Sequence, residues 1–225
     1  MQMSFRVRGE AQSLQKSRGG VVNKPGHSAR QIVLASASRA RRELLAAAGV
    51  PFTVEAADVD EPAVRRALKP TTAPTTVAEV LARAKAEDVG VRHRDALVIG
   101  ADQVLAFGME ILTKPGDVEG ARATLLKLKG KTHELHSSVA FAEDGDIVWT
   151  HTGTARLTMR DFSDDFLEEY LLRAGDRVGG SVGAYELEGA GVQLFERIEG
   201  DYFTILGLPL LPVLAQLRAR GVIAA

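Results

Sequence analysis

The hydrophobic positions fall into short continuous apolar runs separated by amphipathic stretches of helical period. Ile32-Val33-Leu34-Ala35 predicts a strand buried on both faces. After a turn of small residues, positions 39–48 predict a helix stopped by Gly49 and Pro51. Residues 52–55 predict a short strand. Residues 77–91 predict a helix with Val77, Val80, Leu81, Ala84 and Ala86 mostly on one face. Residues 96–101 form a second apolar run, a buried strand with Asp102 directly after it. Residues 104–107 and 109–112 predict a hairpin around Gly108, and 117–128 a helix ending at Gly130. Two long strands are predicted at 133–142 and 147–159, joined by the turn Glu143-Asp144-Gly145-Asp146. A helix at 162–173, a glycine-rich loop at 175–191, a strand at 192–198 and a helix at 212–220 complete the pattern. Mixed βα units and antiparallel hairpins predict an α/β fold with a mixed sheet.

Composition sharpens this in three ways. The chain has 225 residues, 45% hydrophobic, enough for one large domain or two small lobes. It has no cysteine, which excludes disulfides, thiolate chemistry and cysteine metal sites and suits a reducing cytoplasm. No apolar run has membrane-spanning length. The formal charge of -1 is uneven, because residues 1–30 carry six basic residues against Glu10 alone. Those residues lack hydrophobic periodicity and are read as a disordered basic extension, similar to a transit peptide and without catalytic role. The remaining body is acidic and a poor candidate for general nucleic-acid binding.

Candidate chemistry begins at Ser36-Ala37-Ser38-Arg39-Ala40-Arg41-Arg42. Three arginines open a predicted helix, the end where cations are disfavoured, so the run reads as an anion site for a phosphate chain. A solvated basic face is the plainer alternative. Asp102, leaving a buried strand, lies where α/β folds place ligands, and its carboxylate suits a metal or a proton; a turn-forming Asp is equally consistent with the local pattern. Lys114, between Thr113 and Pro115-Gly116, and Lys85, on the 77–91 helix, are point charges suited to phosphate or simply to solvent. Asp58, Asp60 and Glu61 offer hard oxygen ligands for magnesium or manganese. His133, Glu134 and His136 do not match HExxH, and residues 133 and 136 of a strand face opposite ways, which points to a structural role. Glu186 and Glu188 sit among glycines, where a carboxylate suits the donor edge of guanine.

Together these runs resemble the Maf family of nucleotide pyrophosphatases, from Gln31 to about Gly221. The motifs are Leu34-Ala35-Ser36-Ala37-Ser38 with Arg41-Arg42, Val59-Asp60-Glu61, Lys85-Ala86, Gly100-Ala101-Asp102-Gln103 and Lys114-Pro115. They continue through Leu128-Lys129-Gly130-Lys131-Thr132-His133, Gly183-Ala184-Tyr185 with Glu188-Gly189, and Gly200-Asp201-Tyr202 with Gly207-Leu208-Pro209. The resemblance implies a two-lobed α/β fold with a deep cleft, similar to inosine triphosphatases. It implies a cytoplasmic enzyme that cuts a nucleoside triphosphate between the α and β phosphates, using a divalent cation, Mg²⁺ or Mn²⁺. By motif match, Asp102 is the proton acceptor, Ser36, Arg41, Arg42, Lys85 and Lys114 hold phosphates, and Glu61 lies near the metal. Gln103 and Glu188 match the branch acting on 7-methyl-GTP. Ala40 departs, standing where that branch has Trp and the dTTP/UTP branch has Arg; Arg39 replaces a usual proline. The resemblance involves neither nucleic acid nor membrane, and a homodimer is compatible with it. A dTTP/UTP or broad-range pyrophosphatase and a nucleotide-binding regulator of cell division are the alternatives.

Overall fold

The structure is a computed structural model that describes residues 30–224; the basic extension expected at the start of the chain falls on residues 1–29, outside the described residues. Arg30 is described, and its guanidinium lies 2.7 Å from Glu143.

Seven strands form one mixed sheet. They are β1 (Ile32–Ala35), β2 (Thr53–Val54), β3 (Leu97–Phe107), β4 (Glu110–Leu112), β5 (Thr132–Glu143), β6 (Asp146–Met159) and β7 (Phe195–Glu199). Their order is β2-β1-β3-β5-β6-β7, with β4 also on β3. β1 pairs in parallel with β2 and β3; the other pairings are antiparallel. The helices are α1 (Arg39–Ala47), α2 (Glu61–Ala67), α3 (Pro74–Gly90), α4 (Val118–Leu128), α5 (Asp164–Ala174), α6 (Tyr202–Ile205) and α7 (Leu210–Ala219).

The pattern of apolar residues explains two separate cores. On one face of the first half of the sheet, Val33, Ala35, Val98 and Ala140 pack against Ala82, Ala86 and Val89 of α3. On the other face, Ile32, Leu34, Leu97, Ile99 and Phe141 pack against Leu45 of α1 and Val213 and Leu217 of α7. Burial on both faces is why these strands are continuously apolar. The second core gathers the far ends of β3, β5 and β6, through Leu105, Leu135 and Leu157, against Leu125 of α4 and Leu167 of α5. β3 and β5 therefore run from one core into the other, and Asp102 and Gln103 lie between them.

This continuity corrects the expected strand end at Asp102. β3 does not stop at Ala101, because β5 pairs with it from Leu97 to Ala106. What ends there is its other neighbour. β1 leaves β3 opposite Gly100, and β4 joins only at Leu105. Residues 101–104 thus face a gap in the sheet edge, and the candidate site occupies that gap.

Three further differences have local causes. The short strand expected at 52–55 is paired only at Thr53 and Val54. A helix appears at Glu61–Ala67, capped by Asp60, whose carboxylate accepts from the Ala63 amide at 2.9 Å. The strand expected from Val192 begins at Phe195, because residues 190–194 coil into a 3₁₀ turn. There Gly191 lies so near Glu186 that a Cβ on it would stand 2.5 Å from the Glu186 carbonyl. The expected Asp144-Gly145 turn forms with positive φ at both residues, 57° and 91°.

The histidines take the structural role expected of them. His133 is 1% exposed in the second core, and its Nε2 lies 2.7 Å from the Tyr185 hydroxyl. His136 is buried too, with Nδ1 3.0 Å from Thr154 Oγ1. Burial pushes the His133 imidazole down to about 4. The unfolded chain then binds a proton below pH 6.5 that the folded chain refuses until about pH 4. Stability from this residue is complete above that window and falls as pH drops through it. Urea unfolding should show a loss of about 2 kcal/mol between pH 8 and pH 5 that His133→Gln removes; equal pH slopes for both proteins would contradict it.

Gly100 sets the closeness of α3 to β3. A Cβ there would lie 2.3 Å from the Ala82 carbonyl and 2.5 Å from the Ala86 amide, both backbone. Gly100→Ala should cost about 2 kcal/mol or more in urea unfolding, and an unchanged midpoint would contradict this packing.

Candidate active site

Three elements bring charge into the gap. β3 supplies Asp102, which is 5% exposed. α3 supplies Lys85, and α2 supplies Glu61 from its first turn. Lys85 Nζ lies 2.6 Å from Asp102 Oδ1 and 2.7 Å from Glu61 Oε1, so one ammonium bridges two carboxylates. Asp102 Oδ2 is buried with no hydrogen-bond partner among the described residues. An unpartnered buried carboxylate oxygen is costly unless a ligand or a transferred proton completes it. Burial is the largest single influence on Glu61 and raises its pKa. It is outweighed by the hydrogen bond and charge of Lys85, with Arg65 and Lys114, which leave Glu61 below its ordinary value.

The arginines of α1 have three different fates. Ser38 caps the helix, its hydroxyl accepting from the Arg41 amide. Arg39 is exposed and pairs with Glu43 one turn on, at 2.6 Å. That bond, then the charge of Glu43, raises its pKa, and Glu186 and Glu188 add to the rise, which puts both acids within electrostatic reach of α1. Arg41 is 8% exposed and turned inward. Its Nε donates to the Gly207 carbonyl at 2.8 Å, and its Nη1 to the Ala101 carbonyl at 2.8 Å and to Ser36 Oγ at 3.0 Å. Burial lowers its pKa, opposed by the charges of Asp102 and Glu61. Arg42 remains exposed on the helix surface.

Arg41 fills the gap that β1 leaves. The Ala101 carbonyl has lost its strand partner, and the guanidinium replaces it. Nη2 is the guanidinium nitrogen without a partner among the described residues. Ser36 Oγ also accepts from the Ser38 amide at 3.3 Å, which fixes it between strand and helix.

Gln103 points to the opposite face from Asp102, as alternation along a strand requires. Its Nε2 lies 2.9 Å from Ser137 Oγ, 2.9 Å from the Ile205 carbonyl and 3.2 Å from the Thr204 carbonyl. These carbonyls end the four-residue helix α6, which Asp201 caps through the Thr204 amide at 2.9 Å.

The expected site residues therefore divide. Ser36, Arg41, Glu61, Lys85, Asp102 and Gln103 converge on the gap. Lys114 is exposed after β4, and its charge reaches Glu61. Ala40 is half-buried on α1, and Glu188 is exposed on the loop whose acids act on Arg39. Of the acid cluster, Asp60 caps α2 and the Asp58 amide donates to Asp88, leaving Glu61 alone at the site. Sequence reasoning missed Ser137 and Thr204, and named Asp201 only within the Gly200-Asp201-Tyr202 motif. Asp201 carried a readable signal, a capping residue before a short apolar run.

As for a metal, no group of three or more His, Asp or Glu residues able to hold an ion occurs among the described residues. Glu61 with Asp102 gives two hard oxygen donors, and magnesium takes one or two carboxylates with phosphates and water completing its shell. The residues fit such an ion. No helix among the described residues is long and apolar enough to cross a membrane.

Comparison with known proteins bears on the same region. The family described as Maf-like protein matches residues 31–220. The 7-methyl-GTP pyrophosphatase of Rhizobium etli is 50% identical over 194 residues, covering 86% of this chain and 98% of that protein. The Brucella abortus protein of the same name is 52% identical over 189 residues, covering 84% and 95%. The nucleoside triphosphate pyrophosphatase of Paramagnetospirillum magneticum is 54% identical over 190 residues, covering 84% and 98%. A solved HAM1 protein from Coxiella burnetii overlays 59% of this chain and 74% of its own, at 16% identity and a TM-score of 0.34, a partial likeness from which nothing further follows. The match runs through both cores and every residue that converges on the gap, and the chain belongs to the Maf family.

Proposed function

We propose that this protein hydrolyses a nucleoside triphosphate at the α–β anhydride, giving a monophosphate and pyrophosphate, with 7-methyl-GTP the preferred substrate. The observation that carries the reading is the buried Asp102 with one oxygen on Lys85 and the other unpartnered. Relatives about half identical over most of the chain bear the names 7-methyl-GTP pyrophosphatase and nucleoside triphosphate pyrophosphatase, and Gln103 and Glu188 match the expectation for the first.

The chemistry follows from the positions. A water beside Asp102 attacks phosphorus, its proton passes to Oδ2, and the bridging P–O bond breaks so that pyrophosphate leaves. Lys85 holds Oδ1 and so fixes the direction in which Oδ2 points. Glu61 would hold a divalent cation, whose charge would offset that of the phosphates. Lys114, Arg42 and Nη2 of Arg41 supply further positive charge for the phosphate chain. The acids at 186 and 188 lie within electrostatic reach of Arg39 on α1. An exposed carboxylate there suits the donor edge and positive charge of a 7-methylated guanine.

Two measurements test this. Asp102→Asn should lower kcat by about 10²–10⁴, the range for losing a general base, while the Kd for nucleotide changes by only a few fold; an active variant would remove Asp102 from the proton-accepting role. In a nucleotide panel with Mg²⁺ or Mn²⁺, kcat/KM should be highest for 7-methyl-GTP. Higher values for dTTP and UTP would favour the pyrimidine alternative, and tight binding without turnover would favour a regulator.

A further inference from the structure

The hydrogen bonds around Gln103 have a direction, and it settles which end of the amide faces outward. Gln103 and Ser137 are direct cross-strand partners on β3 and β5, so their side chains share a face. Ser137 is fully buried, and its hydroxyl donates to the Thr204 carbonyl at 2.7 Å. A hydroxyl has one proton. With that proton on Thr204, Ser137 Oγ faces Gln103 as an acceptor, and the amide atom 2.9 Å away must be the nitrogen. The Ile205 carbonyl, 2.9 Å from the same atom, makes the same demand. Both amide protons are thereby taken. Oε1 has no partner among the described residues and is not fully buried.

The arrangement is braced from behind. Gly153 of β6 stands opposite Ser137, and a Cβ there would lie 2.6 Å from Thr204 Oγ1. That glycine lets α6 come close enough for its carbonyls to reach the sheet. The last carbonyls of a helix have no partner within it, and here Ser137, Gln103 and Arg41 supply donors for the carbonyls of Thr204, Ile205 and Gly207.

We propose that Ser137 is a positioning residue that locks the Gln103 amide with its oxygen toward the nucleotide, so that the site reads a base by its N–H donors. The proposal rests on the nucleotide reading above. It names a substrate class: bases that present two neighbouring donors on the pairing edge, as guanine and 7-methylguanine do through N1–H and the 2-amino group, to the two lone pairs of one amide oxygen. Cytosine offers only its 4-amino group beside an accepting N3, so it makes one such hydrogen bond and is disfavoured.

Steady-state kinetics with 7-methyl-GTP and CTP test this on Ser137→Ala, Gln103→Leu and the double variant. Loss of one neutral hydrogen bond predicts, for Ser137→Ala, a rise of about three- to tenfold in KM for 7-methyl-GTP. Its kcat should stay within about twofold, and its preference over CTP should shrink by a similar factor. Ser137→Ala should add nothing further once Gln103 is Leu, whereas a general packing defect would add its effect in both backgrounds. If Gln103→Leu shifts the preference and Ser137→Ala does not, the positioning role is overturned and the nucleotide reading stands. If neither shifts it in an active enzyme, both the role of Ser137 and the placement of the base at Gln103 fall. Absence of hydrolysis in the wild-type chain would overturn the function itself.

Discussion

The Lys85 ammonium between Asp102 and Glu61 is the contact on which the site depends. Two carboxylates this near each other, Asp102 buried and Glu61 half-exposed, repel unless a cation stands between them. Lys85 supplies that charge from α3, and its reach is set by packing. Gly100, two residues before Asp102, admits Ala82 and Ala86, which flank Lys85 on the helix. The absence of a side chain at Gly100 thus fixes how far the lysine stands from the carboxylate. Removing one partner of such a pair strands the others, which is why these pairs cost several kcal/mol to break although they add little net stability.

The second organising constraint is alternation along β3. Asp102 faces α3 and its Lys85 ammonium, while Gln103 faces α6 and its carbonyls. Adjacent residues therefore serve opposite sides of the sheet at the point where its edge is open. A one-residue slip of β3 against β5 would exchange them, and the long antiparallel pairing on both sides of the site holds the register. Arg41 links the two sides, since its guanidinium bonds the carbonyl before Asp102 and the carbonyl just beyond α6.

Much of this was readable in the sequence. Fully buried strands announce themselves as unbroken apolar runs, so β1 and the start of β3 were found together with Ser36 and Asp102 beside them. The Asp-Gly turn and the long hairpin followed from turn chemistry. What could not be read depended on contacts distant in sequence. Asp102 read as a strand end because residues beyond it change core, not because the strand stops. Arg41 read as one of three equivalent arginines, and only the missing strand partner of Ala101 shows why it turns inward. Ser137 gives no local signal at all, since a serine in a strand acquires its role from Thr204, 67 residues away.

The bond that is cut is the point at which the geometry meets function. ³¹P NMR of 7-methyl-GTP hydrolysis with Mg²⁺ would identify it directly. Hydrolysis at the α–β anhydride gives the monophosphate and pyrophosphate in equal amounts from the first turnover, with no orthophosphate. Orthophosphate appearing together with a nucleoside diphosphate would place the cut at the β–γ bond and contradict the assignment.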